Sequence, residues 1–285
     1  MTFVIPAPKM LPSSMVHMDL RLAGKRALIT GAGSGIGRAT ARLLSQEGVA
    51  VGVIDVDDDA AEQVAFDISR EGGQAVFFQA DVADEDQVLR SVEAVTANFG
   101  GLEILVNNAG ITGGPWGTLD QMDMARWDAT MAVNLRAQVL YCRHAFPYLS
   151  RAGGAIVNNA SSAAIVGWPQ ALDYATTKAG VVMLTRQLAG QWGKHGIRVN
   201  CVAPGMIDTG FGRGPASQPR PPRDPADQAR RERYIPLSRT GQADDVASVI
   251  VFLASDMARY VSGECVIVDG GLLQMFYPAV LDWRP

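Results

Sequence analysis

The sequence Thr30-Gly31-Ala32-Gly33-Ser34-Gly35-Ile36-Gly37 stands between a short apolar run, Arg26–Thr30, and a stretch with helical periodicity, Gly35–Glu47. Glycines in this arrangement permit a tight turn, let the backbone approach a pyrophosphate closely and allow the helix to pack against the strand. The N-terminus of the helix then presents free N–H groups and the positive end of its dipole to phosphate. The pattern therefore predicts a strand–turn–helix unit that binds a dinucleotide.

Outward from this unit, apolar runs alternate with helical stretches along most of the chain. The predicted strands are Arg26–Thr30, Ala50–Asp55, Ala75–Ala80, Ile104–Asn107, Ala155–Asn159, Arg198–Val202 and Cys265–Val268. The predicted helices are Gly35–Glu47, Asp58–Glu71, Asp84–Phe99, Met122–Leu149, Tyr174–Lys194 and Ala243–Ser255. Nearly continuous apolar strands are typical of parallel sheets covered on both faces. We therefore expect a single-domain, Rossmann-type α/β fold, a doubly wound parallel sheet of about seven strands with helices on both faces.

Segments at both ends and one inside the chain depart from this alternation. Residues 1–22 hold three prolines and are expected to form a flexible extension before the domain at 23–271. Residues 210–225 contain three glycines and five prolines, a density that neither a helix nor a central strand tolerates. We interpret them as part of an inserted loop, 210–235, which is either a mobile lid over the substrate or a surface insertion. The tail 272–285 is unusually apolar for a free end, and we expect it to dock on a neighbouring subunit.

Composition excludes several classes of protein. With 25 Lys and Arg against 29 Asp and Glu, the chain lacks the basic excess that binding to nucleic acid or to an anionic membrane requires. Apolar stretches such as Val249–Ala254 are too short to span a bilayer. Cys142, Cys201 and Cys265 stand far apart and only three histidines are present, so neither a disulfide framework nor a metal site is expected. We expect a cytoplasmic protein that acts on a small molecule.

A carboxylate ends the second predicted strand. Asp55 follows Gly37 by 18 residues, where it can accept hydrogen bonds from the adenosine ribose hydroxyls and would repel the 2′-phosphate of NADP. Asp57, Asp58 and Asp59 add negative charge close by. Arg38, just beyond the glycine turn, is the residue whose positive charge could weaken this preference against NADP. The alternative interpretation of Asp55 is a carboxylate that caps a helix or is exposed to solvent. We expect NAD to be preferred over NADP.

Tyr174 and Lys178 are four residues apart in a helical stretch, so both side chains project from one face about a turn apart. A free tyrosine has a pKa near 10, and a neighbouring ammonium favours the phenolate. Lowering that pKa by about 2–3 units requires roughly 3–4 kcal/mol, which Lys178 and the positive ring of an oxidised nicotinamide could supply together. Tyr174 would then serve as general base toward an alcohol and as general acid in the reverse reduction.

A tyrosine and a lysine four residues apart are common by chance in helices. The nearby pair Ser161-Ser162 makes a catalytic role for them more specific. Ser161 lies 13 residues before Tyr174, just after the strand Ala155–Asn159, at the sheet edge where open α/β folds bind ligands. We expect its hydroxyl to hold the substrate oxygen beside the tyrosine. Ser162 is the alternative, although strand alternation turns it elsewhere.

Taken together, residues 25–271 resemble the short-chain dehydrogenase/reductase family along their whole length. The matching motifs are TGAGSGIG at 30–37, Asp81-Val82, Asn107-Asn108-Ala109-Gly110, Asn134, Ser161 with Tyr174 and Lys178, and Pro204-Gly205 with Ile207 and Thr209. The strings 236–239 and 268–271 resemble the branch that includes 3-oxoacyl-carrier-protein reductases.

The resemblance implies an oxidoreductase that moves hydride between NAD(H) and a secondary alcohol or ketone. Its catalytic set would be Asn134, Ser161, Tyr174 and Lys178, with Lys178 on the nicotinamide ribose and Asn134 linking it to solvent through a water. The cofactor-binding set would be Gly31, Ser34, Gly35, Ile36, Gly37, Asp55, Asp81, Val82, Asn108, Ala109, Gly110, Tyr174, Lys178, Pro204, Gly205, Ile207 and Thr209. Similar proteins are commonly homotetramers assembled through the two long helices, with a dimer as the alternative.

In this family the substrate lies under the loops after the fourth, fifth and sixth strands. Those loops carry five large apolar residues: Trp116, Ile165, Trp168, Met206 and Phe211. They favour a hydrophobic, possibly cyclic, substrate over a sugar, although core or interface packing explains each of them equally well. Two rival functions remain open: an NADPH-dependent reductase of 3-oxoacyl thioesters, which Asp55 disfavours, and a non-catalytic NAD-binding regulatory protein.

Overall fold

The computed structural model describes residues 19–112, 118–167, 171–211 and 224–274. Its principal strands are β1 (Arg26–Thr30), β2 (Ala50–Asp55), β3 (Ala75–Gln79), β4 (Ile104–Asn107), β5 (Ala155–Asn159), β6 (Arg198–Pro204) and β9 (Cys265–Val268). Two short strands, β7 (Ile207–Asp208) and β8 (Gly241–Gln242), form a separate parallel pair. The predicted strands are confirmed, with β3 one residue shorter and β6 two residues longer than expected.

All seven principal strands pair in parallel in the order β3-β2-β1-β4-β5-β6-β9. The chain moves outward from β1 through β2 and β3, then returns to the other side of β1 with β4. Loops that leave β1 and β4 therefore diverge and open a crevice at the carboxyl ends of these strands. The expected doubly wound α/β fold is confirmed, and it places this crevice beside the glycine-rich turn.

The α-helices are α1 (Gly35–Gln46), α2 (Asp58–Arg70), α3 (Glu85–Phe99), α4 (Met124–Met131), α5 (Ala137–Ala152), α6 (Leu172–Trp192), α7 (Pro225–Glu232) and α8 (Ala243–Ala254). Apolar faces of α1, α2 and α8 pack on one side of the sheet around Leu44, Val64 and Ile250. On the other side, α3 and α5 pack around Val92 and Tyr141, joined by the apolar face of α6. Helices therefore cover both faces, which explains why the strands lack polar alternation.

The predicted helical stretch Met122–Leu149 is helical from Met124 to Ala152, but it is not regular throughout. Helix α4 ends at Met131, a π-helical turn covers Ala132–Arg136, and α5 follows directly. A π-turn inserts one extra residue without changing the apolar periodicity on either side, so a sequence pattern does not reveal it. Asn134 lies in this turn and is fully buried.

The inserted segment 210–235 is not loop throughout. Helix α7 begins at Pro225, where a missing N–H costs nothing, and Asp224 caps it by accepting a hydrogen bond from the Ala226 backbone N–H. The density of glycine and proline before 225 obscured this helical start. Residues 1–18, 212–223 and 275–285 lie outside the described residues, and with them most of the proposed extension and tail and the Pro-rich part of the proposed lid. None of the described helices has the length and apolar character needed to cross a membrane.

Gly52 tests how tightly α3 packs on the sheet. A Cβ at this position in β2 would lie 2.5 Å from one methyl of the buried Val95 and 2.9 Å from the other. We expect Gly52→Ala to lower the free energy of unfolding by about 1–3 kcal/mol, measured by urea titration, because a packed core resists added volume. The control is Gly190→Ala on the exposed face of α6, where the new Cβ meets nothing within 4 Å. Equal effects of the two substitutions would contradict this packing.

Candidate active site

A cavity of about 1040 Å³ occupies the crevice at the carboxyl ends of the strands. Every loop that follows β1 to β6 contributes to its wall. It brings together most of the predicted cofactor set: Gly31, Ser34, Gly35, Ile36, Asp55, Asp81, Val82, Asn108, Ala109, Gly110, Tyr174, Lys178, Pro204, Gly205, Ile207 and Thr209. Ser161 lines the same cavity, so the predicted binding and chemical residues share one site.

The glycine turn has no room for side chains. Gly31 has φ +61°, and a Cβ there would lie 2.8 Å from Ala109 Cα. Gly37 lies behind the cavity wall, where a Cβ would overlap the carbonyl oxygen of Gly31 and come within 2.5 Å of Asn108 Nδ2. Gly31 therefore shapes the wall of the cavity, whereas Gly37 allows the helix to pack closely behind it.

Asn108 holds the turn in place. Its side-chain Nδ2 donates hydrogen bonds to the carbonyl oxygens of Thr30 and Gly31, at 3.0 and 2.9 Å. The Thr30 hydroxyl in turn accepts from the backbone N–H groups of Asn108 and Ala109, at 3.0 and 3.1 Å. Asn108 Oδ1 accepts from Nδ2 of Asn159 at 2.9 Å. The ends of β1, β4 and β5 are thus joined by side chains, and the roles of Thr30 and Asn159 were not predicted.

Asp55, which ends β2, lines the cavity as well. Its Oδ2 accepts from the Gly33 backbone N–H at 2.8 Å, and its Oδ1 accepts from the Asp57 N–H at 3.1 Å. Burial raises the pKa of this carboxyl above its usual value, while these backbone donors oppose the rise. Asp57, rather than Asp55, caps α2 by accepting from Ala60 N–H at 3.2 Å. Arg38 is exposed on α1 and does not line the cavity.

Tyr174 and Ser161 meet at the other end. Both side chains line the cavity, close enough for the Ser161 hydroxyl to act on the Tyr174 phenol, and the Ser161 hydroxyl accepts from the Ala163 backbone N–H at 3.2 Å. Ser162 is buried and does not line the cavity. Burial raises the pKa of the Tyr174 phenol, with the Ser161 hydrogen bond acting in the opposite direction. Without a cofactor, desolvation is the larger effect on this pKa. The predicted lowering depends on Lys178 together with the positive ring of an oxidised nicotinamide, and it stays a prediction.

Lys178 supplies a buried cation beside the tyrosine. Its Nζ lies 5.6 Å from the centre of the Tyr174 ring and donates to the carbonyl oxygen of Asn159 at 2.7 Å. Burial lowers its pKa to about 8, so that the ammonium form still predominates at neutral pH.

Asn134 lies close to this group but does not bond it directly. Its side chain forms two hydrogen bonds with the backbone of Ile111, accepting from the N–H at 2.8 Å and donating to the carbonyl at 2.9 Å. A Cβ on Gly110 would come within 3.3 Å of Asn134 Oδ1 and 3.5 Å of Lys178 Nζ, so the two side chains flank the same glycine. The π-turn thus places Asn134 against the loop that follows β4.

Part of the predicted substrate pocket is present. Phe211 lines the cavity with its ring centre 6.1 Å from that of Tyr174, whereas Ile165 and Met206 do not line it. Trp116 and Trp168 lie outside the described residues. Ile111 and Thr112, in the predicted substrate loop after β4, also line the cavity, together with three residues that sequence reasoning missed: Arg126, Ala129 and Val133. They follow β4 or lie on α4 and its π-turn, whose geometry was not predicted.

The chemical groups that line the cavity fit a nicotinamide dinucleotide. Glycines without room for a Cβ, an α-helix N-terminus and the Asp55 carboxylate follow one another along the wall, and the lysine and tyrosine stand at the far end. In the described ranges, no group of three or more His, Cys, Asp or Glu side chains could hold a metal ion.

Residues 31–273 match a protein-family model described as enoyl-(acyl carrier protein) reductase. Cis-4-hydroxycyclohexanecarboxylate dehydrogenase of Sinomonas cyclohexanicum is 41% identical over 89% of this chain and 98% of its own length. D-threitol dehydrogenase of Mycolicibacterium smegmatis is 37% identical, over 90% and 95% of the two chains. The 3-oxoacyl-[acyl-carrier-protein] reductase FabG of Thermotoga maritima is 39% identical, over 89% and 100%.

A solved dehydrogenase/reductase from Sinorhizobium meliloti 1021 superposes with a TM-score of 0.81 and 35% identity, covering 89% of this chain and 97% of that one. This chain aligns with almost the full length of each of these relatives. The aligned region contains the whole cavity. The motif resemblance is thereby confirmed, and the chain belongs to the short-chain dehydrogenase/reductase family of oxidoreductases.

Proposed function

We propose that this oxidoreductase transfers hydride between NAD(H) and a hydrophobic or cyclic secondary alcohol or its ketone, with Tyr174 as general acid and base. The observation that carries the proposal is the shared cavity, in which the glycine turn and Asp55 lie at one end and Ser161, Tyr174 and Lys178 at the other. A dinucleotide bound along this wall would bring its nicotinamide beside the tyrosine.

In the direction of alcohol oxidation, the Ser161 hydroxyl and the Tyr174 phenolate hold the alcohol hydroxyl, and the phenolate accepts its proton to become the neutral phenol. NAD bound in this cavity would supply the acceptor for the hydride of the carbinol carbon. Lys178 binds the nicotinamide ribose and stabilises the phenolate with its charge. Burial opposes that phenolate, so the Ser161 hydrogen bond, the ammonium and the positive ring must act together.

The proton leaves along the side of the cavity that holds Lys178. Asn134 is held by its two hydrogen bonds to the Ile111 backbone, and its Oδ1 and the Lys178 ammonium both lie close to Gly110. A water between Asn134 and Lys178 would connect the ammonium to solvent. We assign Asn134 this role in the catalytic set.

Asp55 supports NAD over NADP. A carboxylate that already accepts from two backbone N–H groups is held in place, and its charge would repel a 2′-phosphate. Arg38, the one residue that could offset this charge, lies off the cavity wall.

Apolar groups support the substrate class. Phe211, Ile111 and Val133 line the cavity near the tyrosine. Among the relatives, one is named for a hydroxycyclohexanecarboxylate and another for cyclohexanol, at 41% and 38% identity. The second candidate is an NADPH-dependent reductase of 3-oxoacyl thioesters, favoured by the identity with the Thermotoga protein and disfavoured by Asp55.

We further propose a cytoplasmic homotetramer, with a lid formed by the inserted segment. Val139 on α5 and Met183 on α6 expose 42% and 50% of their surface, as expected where helices pack between subunits. Phe211, at the start of the segment 210–235, already contacts the ring of Tyr174, so movement of this segment would open or close the substrate end.

The function is tested by assaying NAD reduction against cyclic, aryl and linear secondary alcohols, with NADP in parallel. We expect turnover with bulky apolar alcohols and a higher kcat/KM with NAD than with NADP. Comparable efficiency with NADP would contradict the cofactor preference. Measurable NADH binding without turnover of any alcohol would contradict the substrate class and favour a thioester substrate or a regulatory role.

Tyr174→Phe removes the proposed acid and base while keeping the ring. We expect kcat to fall about 100- to 10,000-fold, the usual contribution of general acid–base catalysis, with NADH affinity retained. Tyr260→Phe makes the same chemical change at a fully exposed side chain and should leave kcat unchanged. Substantial turnover by Tyr174→Phe would mean that another group moves the proton.

A further inference from the structure

A buried carboxylate ties the first turn of α6 to α4. Asp173 has no exposed surface, and its Oδ2 accepts from Nε of Arg126 at 3.2 Å. Its Oδ1 accepts from the backbone N–H of Tyr174 at 2.9 Å. The Thr130 hydroxyl lies 3.3 Å from the same Oδ2 and 2.9 Å from the Arg126 carbonyl oxygen. These contacts connect the residue next to Tyr174 with two consecutive turns of α4.

The same connection continues one helical turn further along. Nδ2 of Asn134 lies 3.3 Å from the Thr177 hydroxyl, which donates to the carbonyl oxygen of Tyr174 at 2.7 Å. Thr130 and Asn134, like Asp173 and Thr177, are four residues apart, and all four side chains are fully buried. We call these four residues the polar seam. It holds Tyr174 by its N–H on one side and by its carbonyl on the other.

Stability alone is a weak reason for a buried ion pair. Removing two charges from water costs several kcal/mol, and well-packed apolar residues often replace such pairs without loss. The ion pair of Asp173 with Arg126 instead fixes the position of the first turn of α6. The planar Asp173 carboxylate must accept from the Arg126 guanidinium and from the Tyr174 backbone N–H at the same time. Tyr174 must in turn lie within hydrogen-bond reach of both Ser161 and the substrate oxygen.

We propose that Asp173 is a positioning residue for the reaction, held by Arg126 and Thr130 so that the first turn of α6 places the Tyr174 hydroxyl beside Ser161. The inference rests on the function proposed above, in which Tyr174 exchanges a proton with the substrate. Asp173 acts through Tyr174 and does not line the cavity, whereas Arg126 does. Substitution of Asp173 therefore separates positioning from direct contact with substrate.

Two substitutions of Asp173 remove its contacts step by step. Asp173→Asn keeps the shape and one carbonyl oxygen for the Tyr174 N–H but removes the ion pair, and Asp173→Ala removes both. We expect kcat, counted per NADH-binding site, to fall in that order and by about 10- to 100-fold for Ala, because a misplacement of about 1 Å can cost about 100-fold. The Kd for NADH and the KM for NAD should change much less than kcat, because most of the proposed cofactor wall, including the glycine turn and Asp55, is untouched.

Amide hydrogen exchange over residues 172–178 provides a readout that does not depend on turnover. We expect faster exchange in both variants, because the first turn loses its attachment to α4. The matched control is Glu103→Gln, which breaks a partly buried pair with Arg26 at the opposite ends of the strands. It should leave exchange in this turn and kcat per site at the parental values.

Parental kcat and parental exchange in the Asp173 variants would overturn the inference, and so would an equal loss of kcat in Glu103→Gln. If Asp173→Ala does not fold, the isosteric Asp173→Asn carries the same comparison. If the parental protein binds NADH but oxidises no alcohol, the proposed function fails, and exchange at 172–178 still decides whether Asp173 holds the turn.

Discussion

Close approach of two backbones beneath the cofactor turn is the constraint on which the rest of this molecule depends. Gly37 leaves no space between α1 and the carbonyl of Gly31, and the Asn108 amide holds that carbonyl from the other strand. A side chain at Gly37 would force the helix away from β1 and disturb the hydrogen bonds that the partly buried Asn108 amide donates to Thr30 and Gly31, each worth about 0.5–1.5 kcal/mol. The cavity takes its shape from this contact.

The same hydrogen-bonded framework reaches the chemical end. Asn159 donates its amide to Asn108, and its backbone carbonyl accepts the ammonium of Lys178. The glycine turn after β1 is therefore joined to Lys178 on α6 through Asn108 and Asn159, at the ends of β4 and β5. Such attachment preorganises the site, so that little ordering remains to be done when substrate binds.

The sequence predicted those features that depend on the residue types within one short segment. The apolar strands, the glycine turn and the spacing of Tyr174 and Lys178 all depend on local patterns, and their placement follows from the topology of a doubly wound sheet. The π-turn at Asn134 was missed because an inserted backbone residue leaves no trace in hydrophobic periodicity. The contact of Arg126 with Asp173, 47 residues away, arises only in the packed structure, as does the desolvation that raises the pKa of Tyr174.

The central claim is that a single cavity brings the carbinol carbon of an alcohol to the nicotinamide while Tyr174 accepts the proton. Its most direct test uses an alcohol that the enzyme oxidises, deuterated at the carbinol carbon, with NMR analysis of the reduced cofactor. The account predicts that the deuterium appears at C4 of the nicotinamide in the wild-type reaction. Reduced cofactor without deuterium would contradict direct transfer within this cavity.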